Sequence, residues 1–421
     1  MKVHVCDMPM GTGKSSAAIT YMNANPSKRF IYVTPYLDET ERIVSSCTGN
    51  FVMPSDENHA TQFNKSDDIL SLIRNNCNIA TTHQLFTMLS DEAIEEIRGR
   101  NYTIILDEVL DTFFKSDISP SDFKILRDSG WLQVVPTSTG IEYVYDIDNA
   151  PDKYRGGKFR EFFTMARCHR LCEIPTNSDE EHALYCWGLQ RNLFACADEV
   201  FVLTFMFDGS VMRSYMKINN IEYDSIGVRY DELLHKYTFV SDTTLPSSFV
   251  NDLNKIHIYD NARSNLIGDK KTALSFNWYK RAAAREQDKI DRVGKNVYNF
   301  FRYARHAQAS DCLWTCPIKA SKYMDRYGKQ FLAFNARATN KYANVHNLAY
   351  CINVFCDPDI SNYMKSCGAE IDADAYALSC LIQWVWRSAI RNGEDIYLYL
   401  PSARMRNLFE EWRSKLLALS P

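Results

Sequence analysis

No stretch of this chain approaches the roughly 18 consecutive apolar residues that a membrane-crossing helix needs. An excess of charge is missing too: 48 Lys and Arg stand against 52 Asp and Glu, a formal net charge of −4. That balance does not advertise a nucleic-acid binder, so any such surface must be a local basic groove on an acidic protein. Thirteen cysteines are present, an odd number without any Cys-x-x-Cys pair, which suits reduced thiols better than a disulfide framework. Internal repeats and low-complexity tracts are lacking. The N-terminus leads almost at once into "VHVC" and a glycine loop, which leaves no room for a signal peptide. The expectation is a cytoplasmic protein with no membrane contact.

What is there is an ordinary globular composition: 421 residues, 46% hydrophobic and 24% charged, enough for two or three domains with ample core. Short apolar or β-branched runs recur between longer helical patterns. The first series is "VHVC" (3–6), "FIYVT" (30–34), "NIATT" (78–82), "YTIIL" (102–106) and "VFVLT" (200–204). A second follows: "IHIY" (256–259), "CLWTC" (312–316), "FLAFN" (331–335), "CINVF" (351–355) and "IYLYL" (396–400). Runs without polar alternation suit strands buried on both faces of a parallel sheet. Two series predict two α/β domains in tandem, 1–240 and 241–421, joined near the turn-rich "VSDTTLPSSFVND". The gap between "YTIIL" and "VFVLT" is far longer than one crossover needs. It predicts an inserted α+β subdomain over about 112–185, with a hairpin around "TSTG" and a helix over 158–172.

Residues 8 to 15 read "MPMGTGKS". Strand before and helix after are the setting of a phosphate-binding loop, although Met8 stands where such a loop usually begins with glycine. The loop candidates are Met10, Gly11, Thr12, Gly13, Lys14, Ser15 and Ser16. Glycines let backbone N–H groups wrap phosphate oxygens at the positive end of the helix dipole. Lys14 would reach the β and γ phosphates and the Ser15 hydroxyl would ligate magnesium. In "ILDEVLD" (105–111), Asp107 and Glu108 follow an apolar strand and would stand at its C-terminal tip. There Asp107 would hold the Mg2+ hydration shell and Glu108 would activate the attacking water. "ALSCLIQWVWRSAIRNG" (377–393) reads as one helix closed by Asn392 and Gly393, with Gln383, Arg387 and Arg391 spaced by four on one face. Arginines so placed stabilise charge on a transferring phosphoryl group.

Taken in order, "GTGKS", "DEVL" and "QWVWRSAIR" resemble a superfamily 2 helicase of the DEAD/DEAH-like kind, and among these the compact helicase-like ATPases of bacteriophages. The resemblance implies two tandem RecA-like domains, ATP and Mg2+ as cofactors, and ATP bridging Lys14 and either Arg387 or Arg391. It also implies nucleic acid as partner, DNA before RNA, with replication or recombination proteins as possible associates. Intermediate segments agree. Thr34 and Pro35 resemble motif Ia, Thr81 and Thr82 motif Ib, and Thr204 the coupling residue of motif III. Thr339 and Asn340 resemble motif V. The last motif departs from the family: Trp386 replaces a glycine, and the second arginine, Arg391, falls one residue late. The alternative is a P-loop ATPase that is no helicase, such as a packaging ATPase, for which Asp357 is a lone acidic candidate, or a small-molecule kinase.

Three weaker patterns remain. Between 270 and 305, ten Lys and Arg face three acidic residues, either a solvated helical face or a phosphate-contacting one. Cys168, Cys172, His169, His182 and Cys186 lie near one another, and Cys312 and Cys316 are four apart, but neither spacing is the one structural zinc favours. Trp187, Phe194, Trp278 and Tyr279 are candidates for base stacking, though such aromatics are more often core.

Overall fold

A computed structural model describes the whole chain except residues 56–64, 138–139, 146–158, 167, 175–183, 191, 325–329, 337–340 and 420–421. The chain divides into two units. The first holds Met1–Met8, Gly13–Thr243 and Asp357–Ile371; the second holds Pro9–Thr12, Thr244–Cys356 and Asp372–Pro421.

The first unit is built on an eight-stranded sheet. Its members are β1 (Lys2–Asp7), β2 (Arg29–Thr34), β3 (Phe51–Val52), β4 (Asn78–Thr82), β5 (Tyr102–Asp107), β11 (Glu199–Thr204), β12 (Asp224–Asp231) and β13 (Lys236–Val240). The order is β13-β12-β1-β11-β5-β2-β4-β3. All neighbours run parallel except the β12–β13 hairpin. Each of the first five expected runs is a strand, because an uninterrupted apolar segment is stable only where both faces are covered. In β5, five successive residues from Tyr102 to Leu106 are buried.

Between β5 and β11 lies an antiparallel sheet of β6 (Phe113–Lys115), β7 (Leu132–Thr137), β8 (Gly140–Tyr145), β9 (His169–Ile174) and β10 (Leu184–Leu189), ordered β6-β10-β9-β8-β7. Its core gathers Phe123, Trp131, Tyr143, Phe163, Tyr185 and Trp187. The helix expected over 158–172 is shorter: it spans Arg160–Ala166, and His169–Ile174 is β9. Residues His169 to Ile174 pair with β10, Cys172 opposite Cys186, so alternation wins over helical spacing there. The helix Pro358–Ser366 returns to this unit: Tyr363 packs against Phe113 at 5.3 Å and Asp359 pairs with Lys115 at 2.6 Å. A single cut near residue 240 does not anticipate that return.

The second unit carries a parallel four-stranded sheet, β14 (Ile256–Ile258), β15 (Cys312–Thr315), β16 (Asn347–Tyr350) and β17 (Ile396–Tyr399), ordered β14-β17-β16-β15. Two expected strands are corrected. "FLAFN" supplies only an isolated bridge from Phe331 to Trp314. The strand expected at 351–355 lies just upstream, at Asn347–Tyr350. Beyond it the Cys351 N–H still bonds Thr315 O, but the Asn353 N–H turns to Leu274 O and the Asn353 amide donates to Lys271 O and Ala273 O. The segment is therefore a buried loop pinned by one asparagine. Asp357, beyond it, accepts from the Asp359 N–H as a helix cap. The chain is thus α/β, with parallel-sheet Rossmann-like units and an α+β insertion.

Candidate nucleotide site

β1 ends at Asp7, and the chain turns through Gly11 (φ +82°) and Gly13 (φ +88°) into the helix Lys14–Ala24. Positive φ at both glycines lets the loop curl at no steric cost. Gly13 is the helix N-cap and offers no side-chain oxygen to the first-turn N–H groups, the arrangement that leaves them for a phosphate. Met8, where the usual pattern has glycine, has an ordinary negative φ and a buried side chain in the core under the helix. Its carbonyl accepts a hydrogen bond from Lys14 Nζ. No glycine is needed there.

One strand, β11, separates β1 from β5. At the tip of β5 the Asp107 carboxylate faces the loop: Ser15 Oγ stands 3.4 and 3.5 Å from its two oxygens. A hydroxyl and a carboxylate are hard oxygen donors, and two neighbouring ligands of an octahedral Mg2+ lie on the order of 3 Å apart. The pair therefore fits magnesium, which takes one or two protein oxygens and completes its shell from phosphate and water. Burial, then the charges of Glu108 and Glu39, push the Asp107 carboxyl up to about 7, while the Tyr32 hydroxyl and Lys14 oppose the rise. Burial likewise pushes the Lys14 ammonium down, against the pull of Glu108, Cys6, Asp107 and Asp7. An acid and a base stripped of water in one place await charged company.

Glu108 is held in the left-handed region at φ +72° and its N–H donates to Leu203 O. A non-glycine residue in that region at a strand tip marks stored strain, which collects at functional sites. Two residues absent from the sequence reading hold Asp107. Tyr32 donates its hydroxyl to Oδ2 at 3.0 Å, and His83 Nε2 lies 2.8 Å from the Asp107 carbonyl. Their only sequence signal was position, Tyr32 two residues before Thr34 and His83 next to Thr82.

The other predicted residues divide. Thr204, buried at the end of β11, receives the Met8 N–H on its carbonyl. Thr34 and Thr81 are buried at the ends of β2 and β4. Pro35, Thr81 and Thr82 line a cavity of about 680 Å3 with Tyr36, Met53 and Met88. Thr82 caps the helix His83–Thr87. Thr339, Asn340 and His182 lie outside the described residues.

Residues 251–413 match the profile of the YonV C-terminal Rossmann-like domain. The SPbeta prophage-derived protein YonV of Bacillus subtilis strain 168 is 35% identical over 421 residues, which is 98% of this chain and 98% of that protein. The chain belongs to the YonV family. Among solved structures, an XPD helicase is similar with a TM-score of 0.48 and 10% identity, over 100% of this chain and 95% of that one. Xpd4 of S. tokodaii follows at 0.44 and 9%, over 98% and 94%. Likeness this distant concerns chain path alone.

In the YonV-matching region the helix expected over 377–393 is corrected. It spans Ala373–Val385, and a separate 3-10 turn covers Ala389–Asn392 before Gly393 at φ +72°. The break has a cause. Ser388 takes an extended conformation, its hydroxyl and N–H both return to Val385 O, and the Ala389 N–H leaves for Val345 O. Gln383 sits on the helix, whereas Arg387 (4% exposed) and Arg391 follow its end, so the three do not form a spaced-by-four stripe. Among the described residues no group of three or more His, Cys, Asp or Glu could hold a metal ion. Cys312 and Cys316 are buried in the second core, where burial raises both thiols. Trp187, Phe194 and Tyr279 are buried, and Trp278 packs against the second core.

Proposed function

We propose that this YonV-family chain is an ATP-hydrolysing motor that acts on nucleic acid, DNA before RNA. The observation that carries it is the meeting of Lys14 and Ser15 with Asp107 and Glu108 across one intervening strand. Lys14 and the loop N–H groups hold the phosphates. Ser15 and Asp107 would hold Mg2+, which when bound would supply neutralising charge to the phosphate oxygens. Glu108 accepts the proton of the attacking water. The resemblance to motif VI gives the phosphoryl charge to Arg387 or Arg391.

Two things support nucleic acid as the partner. One is the ordered set of helicase-like motifs. The other is the pair of helices Phe276–Arg285 and Gln287–Asn299, which expose Lys280, Arg281, Arg285, Arg292 and Lys295 on an otherwise acidic chain. The prophage origin of the relative supports a role in phage DNA replication or recombination inside the host cytoplasm.

The test is ATP turnover with single-stranded DNA, duplex DNA, forked DNA and RNA side by side. Nucleic acid should stimulate the parent protein. Lys14→Ala should abolish ATP binding, and Glu108→Gln should retain ATP while turnover falls about 10²–10⁴-fold. Turnover indifferent to every nucleic acid would end the motor reading in favour of a packaging ATPase or a small-molecule kinase. Parental turnover in Glu108→Gln would move the base elsewhere.

A further inference from the structure

The phosphate loop has a neighbour that none of the motifs explains. The last pair between β1 and β12 is Cys6 with Ile226. Past that point β12 pairs only with β13, from Gly227–Val240 to Asp231–Lys236. The hairpin therefore rises beyond the C-terminal end of β1, alongside the loop. Val228 and its partner Phe239 belong to the core beneath the Lys14–Ala24 helix. Two residues further on, Tyr230 and Tyr237 are direct partners on the same face. Their rings meet edge to face at 5.1 Å. The Tyr237 ring covers Gly13 so closely that a β-carbon there would lie 2.3 Å from it. Tyr230 is 40% exposed. The apolar face of the hairpin thus overruns the start of the helix by one aromatic pair.

Direction completes the argument, which rests on the proposed nucleotide site. Ser15 meets Asp107 on the β11–β5 side of β1, so a metal held by the pair, and the terminal phosphate with it, would lie on that side. A nucleotide lying in the loop then carries its nucleoside away from that side, and β12–β13 is what stands on the other side of β1. We propose that Tyr230, backed by Tyr237, is the stacking platform for the base of the bound nucleotide. Aromatic stacking reads a π face that every base has, so the platform serves ATP and GTP alike.

The experiment is titration calorimetry of the full chain with Mg·ATP, Mg·GTP and Mg·tripolyphosphate, which has the phosphates and no base. Tyr230→Ala should weaken ATP and GTP together by about five- to a hundred-fold and leave tripolyphosphate unchanged. Tyr230→Phe should behave as the parent. Because Tyr237 also packs on the loop, Tyr237→Leu is read by its ratio of ATP to tripolyphosphate affinity, which should fall. Parental ATP affinity in Tyr230→Ala, or an equal loss of tripolyphosphate, overturns the platform while the phosphate loop stands. Tripolyphosphate bound equally by parent and Lys14→Ala overturns the loop reading and the platform with it.

Discussion

Acid should loosen the inserted subdomain through one residue, His169. It lies on β9, 1% exposed, with its ring edge-on to Phe114 at 5.2 Å. Burial pushes its pKa down to about 4, the Arg170 charge adds to the fall, and the Met165 backbone opposes it. Unfolded, the imidazole titrates near its ordinary value of about 6.5. Between these two values the unfolded chain binds a proton that the folded chain refuses, so stability rises with pH across that window. The contribution is complete above about pH 6.5 and is lost as pH falls towards about 4. Linkage over that gap gives a loss of about 2 kcal/mol by pH 5 and about 3 kcal/mol by pH 4. The assay is urea unfolding followed by tryptophan fluorescence, since Trp131 and Trp187 both sit in the core of this subdomain. The midpoint should fall steeply with acid in the parent and much less in His169→Leu. If the two midpoints move in parallel from pH 7 to pH 4.5, the buried neutral imidazole is not the acid-sensitive group and the reasoning fails.

Two further substitutions probe the loops around the sites. Gly13→Ala puts a β-carbon into the Tyr237 ring at φ +88°, so it should lower stability by at least the ~1–2 kcal/mol of a left-handed L-residue and abolish nucleotide binding; thermal melting and ATP titration of the variant check both. Asn353→Leu leaves Lys271 O and Ala273 O without the amide and removes one of the acceptors of Arg404, and should cost about 2–4 kcal/mol in urea unfolding of the second unit.

Five of the eight strands of the first sheet were legible because an apolar run with no polar interruption has one stable use in a chain of this kind, a strand covered on both faces; β3 and the β12–β13 hairpin carry no such run. The same run misleads where side chains are buried but the backbone leaves the ladder, as in the Asn353 loop, since hydropathy reports burial and not hydrogen-bond partners. The Gln383–Arg391 segment misled for a related reason. Helical spacing continues through Trp386 and Ser388, but the Ser388 hydroxyl and N–H return to Val385 O and the Ala389 N–H leaves for Val345 O, 44 positions back.

By itself the sequence determined the local chemistry of the site. Glycines at 11 and 13 permit the curled loop, a strand precedes it and a helix follows, and an acidic pair terminates a buried strand. These are properties of short segments, decided by φ/ψ freedom and by side-chain pattern. Tertiary structure alone decided what meets that site. Tyr32 reaches Asp107 from 75 positions away, Glu108 is forced into the left-handed region, and Tyr237 lies over Gly13 from a hairpin far along the chain. Such contacts depend on strand order and on how far each strand runs past its neighbour, and no local pattern encodes either.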